Sequence, residues 1–219
     1  MKRHDLVILN SDGRKYAADI AVRNHQSLNE SFIHQIIAGE RIPGIIKRQE
    51  NSSVDQIEIG FSTRYYQPDG GRIRLNSVVP RKQIAAMLSP FEVLLMASDT
   101  EPYEELQKSA ANCKIEVGLY GSSAMEVVTG QKYRNERSDI DIYIRCREKS
   151  GGDLRDFWET VQVIADECLV SFDVEIEYQE TYGIKLTELL SNQKTVLAKG
   201  LYDVQLFDRK AVLEELTWK

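Results

Sequence analysis

Cysteine and histidine are scarce in this 219-residue chain, and their placement excludes several chemistries at once. The three cysteines, Cys113, Cys146 and Cys168, are odd in number, widely spaced and free of any C-x-x-C pattern, so neither a disulfide framework nor a zinc site is expected. The three histidines, His4, His25 and His34, all fall within the first 34 residues. No Ser/His or Cys/His constellation can be assembled around them locally, so they read as structural or exposed rather than catalytic. Long apolar runs are missing too. The longest, Ile84–Leu88 and Val93–Ala97, are about a quarter of the roughly 20 residues a membrane-spanning helix needs. No membrane association is therefore expected. The charged opening Met1-Lys2-Arg3-His4-Asp5-Leu6 lacks the apolar stretch and small-residue cleavage site of a secretory signal, which points to the cytoplasm. Absent as well are G-x-x-x-x-G-K-[ST], G-x-G-x-x-G and G-x-S-x-G, and with them the P-loop, Rossmann and serine-hydrolase readings.

With 42% hydrophobic and 28% charged residues, the chain has what a packed core requires. A net charge of −6 argues against a nucleic-acid partner bound through its phosphates. That charge is unevenly spread. Arg41 to Lys82 carries eight cations against four anions, leaving −10 for the remainder, an asymmetry that suggests a basic surface for a phosphorylated ligand or an acidic partner.

Periodicity predicts an α+β protein in two parts, a small mixed N-terminal domain over residues 1–85 and a second domain over 86–219. In the first part, an apolar run Leu6 to Leu9 ends in turn chemistry at Asn10-Ser11-Asp12-Gly13, and Asn29 to Ala38 reads as a helix. Pro43 to Lys47, Gln56 to Phe61 and Arg72 to Val79 read as strands. Helices are expected over Arg81 to Leu88, Pro90 to Ser98 and Pro102 to Asn112, each opened by or close to a proline. A strand Lys114 to Tyr120 then breaks at Gly121-Ser122-Ser123, followed by a short helix Ala124 to Thr129 and a polar loop Gly130 to Ser138. Asp139 to Cys146 alternates, placing Asp139, Asp141, Tyr143 and Arg145 on one face. An amphipathic helix Asp153 to Leu169, with Trp158 and Cys168 among its core positions, leads to a second alternating strand, Ser171 to Tyr178, which sets Asp173, Glu175 and Glu177 on one face.

Two aspartates two apart on a strand, with a third carboxylate on a neighbouring strand, would repel unless a cation sat between them. Oxygen-only ligands of this kind suit Mg²⁺, or Mn²⁺ in its place. Two such ions activate the attacking hydroxyl and stabilise a leaving diphosphate in phosphoryl or nucleotidyl transfer. Gly121-Ser122 fits the same chemistry, because glycine lets the backbone approach phosphate and the following helix N-terminus offers donors. Lys132, Arg134 and Arg137, in the loop before Asp139, read either as neutralisers of diphosphate or as a solvated loop. Arg72 and Arg74, two apart on a basic strand, suit a triphosphate or an acidic carrier.

The order strand, Gly-Ser turn, helix, Asp-x-Asp strand, helix, acidic strand resembles the nucleotidyltransferase fold of the polymerase-beta type, in which three carboxylates hold two metals. More narrowly, Tyr120-Gly121-Ser122, Thr129-Gly130, Tyr133 and Ser138-Asp139-Ile140-Asp141 resemble the phosphoribosyl-dephospho-CoA transferases, the holo-acyl-carrier-protein synthases of malonate decarboxylase. Weaker likeness extends to Arg3-His4-Asp5-Leu6, Pro43 to Arg48, the strand around Arg72 and Arg74, and Ser89-Pro90. The resemblance implies transfer of the phosphoribosyl-dephospho-CoA group from 2′-(5″-triphosphoribosyl)-3′-dephospho-CoA to a serine of an apo acyl-carrier subunit, with release of diphosphate. It implies carrier or substrate binding for the domain over 1–85 and catalysis for that over 86–219. It implies Asp139, Asp141 and Asp173 as catalytic, metal-holding carboxylates, with Glu175 as the alternative to Asp173. Gly121, Ser122, Lys132, Arg134 and Arg137 are the expected substrate-binding residues. The family usually has Trp-Gln where this chain has Met125 and Glu126, which replaces an aromatic and adds an anion. Two other readings are a nucleotidyltransferase of the same fold using ATP or another NTP, and a binding module that has lost its chemistry.

Overall fold

A computed structural model describes residues 1–50, 53–97, 101–135, 138–146 and 154–217. Among the described residues, two sheets and eight α-helices make a mixed α+β architecture. Strand β1 (Leu6–Leu9) leads into helix α1 (Ser11–Asn24), so the expected turn at Asn10–Gly13 is instead a helix start. The Asn10 side chain accepts a hydrogen bond from the Gly13 N–H at 2.8 Å, the N-cap geometry that asparagine favours as readily as a turn. Helix α2 (Glu30–His34) runs into a π-helical turn (Gln35–Gly39). Strands β2 (Gly44–Ile46), β3 (Gln56–Tyr66) and β4 (Arg72–Pro80) follow.

The expected helix over Arg81 to Leu88 does not form. After a single 3₁₀ turn (Arg81–Gln83), Ile84–Leu88 is strand β5, paired antiparallel with β1. An apolar run of five residues fits either state, and the free edge of β1 decides it. The first sheet therefore has the order β4-β3-β2-β1-β5, entirely antiparallel, and the expected junction at 85/86 falls inside β5. Helix α1 covers one face through Ala17, Ala18 and Ala21, residues small enough for the Ser77 hydroxyl on β4 to donate to the Ala17 carbonyl at 2.9 Å. The other face of β3 and β4 is left for something else.

Helix α3 (Pro90–Met96) starts on a capping box, Ser89 with Glu92, with Pro90 in its first turn. Helix α4 (Tyr103–Asn112), strand β6 (Ile115–Leu119), helix α5 (Gly121–Thr129) and strand β7 (Ile140–Cys146) come next. Gly118 of β6 is a close-approach glycine, since a Cβ there would lie 2.5 Å from the Pro90 carbonyl carbon. Helix α6 (Leu154–Cys168) buries Leu154, Phe157, Val161 and Ile164, while Trp158 and Cys168 are half-buried against the same core. It provides the crossover to β8 (Phe172–Tyr178), which a parallel β7–β8 pair requires. Strands β9 (Tyr182–Lys185), β10 (Thr195–Lys199) and β11 (Val204–Asp208), with helices α7 (Leu186–Leu190) and α8 (Arg209–Thr217), complete the second part. Its sheet order is β11-β10-β9-β8-β7-β6, antiparallel apart from β7–β8, a nucleotidyltransferase-like arrangement. None of the three cysteines is in a disulfide, and no helix among the described residues is long and apolar enough to cross a membrane.

Candidate active site

Alternation along β7 and β8 brings the predicted carboxylates to one place. In the parallel pairing Asp141 lies opposite Asp173, and Tyr143 opposite Glu175. Asp139 stands just before β7, and its carboxylate accepts a hydrogen bond from the Ser171 hydroxyl. Asp173 faces Lys185 Nζ on β9 at 3.0 Å. Asp141 has no ion-pair partner among the described residues. Burial, the Asp173 charge and the Asp139 charge together push its pKa up to about 6, against the opposing hydrogen bond from the Ser122 backbone N–H.

Helix α5 begins immediately after β6, at Gly121, so the Gly-Ser pair is its first turn. Gly121 sits at φ +63°, and a Cβ there would run into the Asp141 carboxylate. Only glycine allows both that backbone and that approach. The helix ends in the Thr129-Gly130 pair: Thr129 donates its hydroxyl to the Met125 carbonyl at 2.6 Å, and Gly130 takes a left-handed C-cap at φ +66°.

Glu126 organises the loop that follows. Its carboxylate accepts from the backbone N–H groups of Tyr133 (2.8 Å) and Arg134 (2.7 Å) and pairs with Arg134 Nε at 2.7 Å. Burial raises this carboxyl, but those bonds outweigh it and hold the pKa below the usual range. The added anion is thus neutralised by the loop, and Met125 is fully buried in the core. Tyr133 is also buried, packed beneath the Arg72 guanidinium, which donates to the Tyr133 carbonyl.

Glu175 is committed elsewhere. His4 Nε2 lies 3.0 Å from its carboxylate, with Lys199 Nζ at 3.6 Å and Arg3 at 3.7 Å. Burial alone would raise its pKa; His4, Arg3 and Lys199 pull it down to about 2. The His4 ring in turn stacks 4.0 Å from Tyr120, the residue before the Gly-Ser turn. His4 thus ties the N-terminal segment to Glu175 and Tyr120.

A cleft of about 670 Å³ separates the uncovered face of the first sheet from this cluster. One wall carries Gly121, Ser122, Asp139 and Asp141; the other carries Lys47, Arg72, Arg74 and Asn76. Period-two spacing explains the basic wall, because Ile73, Leu75 and Ser77 of β4 are buried while Arg74 and Asn76 between them are exposed. Lys132 and Arg134 are not in this cleft. They line a separate groove with Glu126, Asp166 and Leu169, which meets the cleft at Ser138. Arg137 lies outside the described residues. Lys47 and Asn76 were not singled out from sequence; Asn76 continues the Arg72, Arg74 alternation, whereas nothing local marks Lys47. Lys185, the partner of Asp173, ends β9 with no local pattern to mark it.

A family model described as Phosphoribosyl-dephospho-CoA transferase MdcG C-terminal domain matches residues 76–210. The chain belongs to this family. No curated protein and no solved structure gave a match. The MdcG match spans both glycine turns, the carboxylate cluster and the whole second sheet, and makes the chain a transferase of the phosphoribosyl-dephospho-CoA class, acting on a CoA-derived substrate. The basic wall at Lys47, Arg72 and Arg74 belongs to the chain that precedes the MdcG span.

Proposed function

We propose that the chain transfers the phosphoribosyl-dephospho-CoA group from 2′-(5″-triphosphoribosyl)-3′-dephospho-CoA to a serine of the apo acyl-carrier subunit of malonate decarboxylase, in the cytoplasm, releasing diphosphate. The observation that supports this reading best is the cleft itself: a basic wall facing a Gly-Ser turn and two carboxylates, Asp139 and Asp141, with Asp173 on the strand beside Asp141, within and beside a family-matched segment.

Asp139, Asp141 and Asp173 are the carboxylates that would hold Mg²⁺, or Mn²⁺. Their fit is one of chemistry: the donors are all oxygen, and Asp141 is a half-buried acid burdened by two like charges. They do not form a ready cage, since no group of three or more His, Cys, Asp or Glu among the described residues does so, and phosphate oxygens would complete the set. Bound there, the ion would polarise the α-phosphate and lower the pKa of the attacking hydroxyl.

The protein's own groups supply the rest. Backbone N–H groups at the start of α5 and the Ser122 hydroxyl orient the triphosphate, and Arg72 and Arg74 stabilise the negative charge that builds on the departing diphosphate. The carrier serine oxygen bonds to the α-phosphorus, the α–β phosphoanhydride bond breaks, and the hydroxyl proton passes to a carboxylate of the cluster. Glu175, already bound to His4, Arg3 and Lys199, buttresses the sheet and leaves Asp173 as the third carboxylate.

The test is substrate discrimination. Diphosphate release is followed with Mg²⁺ and apo carrier, offering either the triphosphoribosyl precursor or ATP. Release from the precursor alone supports the reading; release from ATP alone moves the protein to ordinary nucleotidyl transfer.

A further inference from the structure

A second cavity, of about 340 Å³, opens beside the cleft. His4 and Lys47 line both, so the two spaces share a wall. Arg3, Arg48 and Lys199 complete its cationic lining, against Glu50 and Glu58. Four cations from three distant stretches of chain converge here: the N-terminus, the end of β2 and the end of β10. The charges are only partly spent. Arg48 pairs with Glu50 at 3.2 Å, Lys199 lies 3.6 Å from Glu175, and Lys47 has no ion-pair partner among the described residues. Arg3 lies 3.7 Å from the same Glu175 carboxylate and is held in place by donating to the Lys199 carbonyl at 2.9 Å. Such a cluster, half-exposed and opening on a cleft, offers charge-assisted donors to an anion rather than closing on itself.

We infer that this cavity is a second anion subsite, taking the internal diphosphate bridge of a two-ended substrate whose triphosphate end lies in the cleft. The inference rests on the transfer reading above, because it assigns that substrate's dephospho-CoA half. Two anionic groups on one molecule, each met by its own cations, hold the α-phosphate in register more firmly than either end alone, since the second contact forms at high effective concentration. The same arrangement predicts discrimination against ATP, which has no second bridge to place.

The test is calorimetric titration of the full chain with two probes, dephospho-CoA and inorganic tripolyphosphate, each with Mg²⁺. The Arg48→Gln/Lys199→Gln double variant is expected to bind dephospho-CoA at least tenfold more weakly and tripolyphosphate within twofold of the parent. Arg74→Gln is expected to do the reverse. Arg48→Gln alone, at a side chain 47% exposed, covers the case in which the double variant does not fold, with a threefold loss for dephospho-CoA expected. Unchanged dephospho-CoA affinity, equal loss for both probes, or no binding of dephospho-CoA to the parent overturns the subsite. Binding of dephospho-CoA without any binding of tripolyphosphate keeps the subsite and overturns the transfer reading. Weakened carrier binding with intact dephospho-CoA affinity reassigns the cations to protein docking and also overturns it.

Discussion

Asp141 and Asp173 occupy the same rung of the parallel β7–β8 pair, yet Asp173 has a lysine at 3.0 Å while Asp141 has no ion-pair partner among the described residues. The pair is therefore electrostatically lopsided, with the cost falling on Asp141.

That cost has a sign. With its folded pKa near 6 against an ordinary 3.8, Asp141 binds its proton more tightly in the folded chain, so stability falls as pH rises from about 4 to 6 and stays lower above. Asp141→Asn removes the penalty. In chelator at pH 7.5 the variant should be more stable by about 2 kcal/mol, discounted for partial exposure, and the difference should vanish near pH 4. Diphosphate release should be abolished. Thermal melts at both pH values check this; a variant less stable at pH 7.5 contradicts it.

Gly121 and Gly130 share a left-handed backbone, at φ +63° and +66°, but not their surroundings. Nothing lies within 4 Å of a Cβ at Gly130, so Gly130→Ala should cost only the backbone term, about 1 kcal/mol. At Gly121 the methyl meets Asp141. Gly121→Ala should cost more stability and reduce transfer at least a hundredfold. Parallel chemical denaturation and initial rates of the two variants separate the effects.

Much of this was legible in sequence, for identifiable reasons. Asp141 and Asp173 sit on strands with strict alternation, where period two fixes the face, Asp139 stands one residue before β7 in the same alternation, and Gly121-Ser122 breaks the strand pattern. Ile84–Leu88 was not legible: a five-residue apolar run carries no period, and its state depends on β1, some 75 residues earlier. Asn10 was ambiguous because one side-chain oxygen serves a turn or a helix cap equally. Lys185 and Lys199, which neutralise Asp173 and Glu175, stand on β9 and β10, and no local sequence pattern marks such long-range pairs.

Glu175 is the buried keystone between the N-terminal segment and the second sheet. Glu175→Gln leaves His4, Arg3 and Lys199 without their carboxylate, and loss of one partner from a buried ion pair typically costs about 3–5 kcal/mol. Because the folded pKa is near 2, below the ordinary 4.5, this contribution is present above about pH 4.5 and fades as pH falls toward 2. Denaturation of parent and variant at pH 7 and pH 3 should show the gap narrowing in acid.

Glu126 fastens the loop before Asp139 through two backbone N–H groups and Arg134. Glu126→Ala should loosen that loop, giving faster proteolytic cleavage between α5 and β7 and at least a tenfold loss of transfer. Glu126→Gln, which keeps one acceptor oxygen, should recover part of both.

The most direct measurement is the intact mass of apo malonate decarboxylase carrier incubated with the protein, Mg²⁺ and triphosphoribosyl-dephospho-CoA, beside an Asp139→Asn control. A gain equal to the precursor less diphosphate, absent with Asp139→Asn, is the result this account predicts. An unmodified carrier with folded protein and metal present, or the same gain in the control, would contradict it.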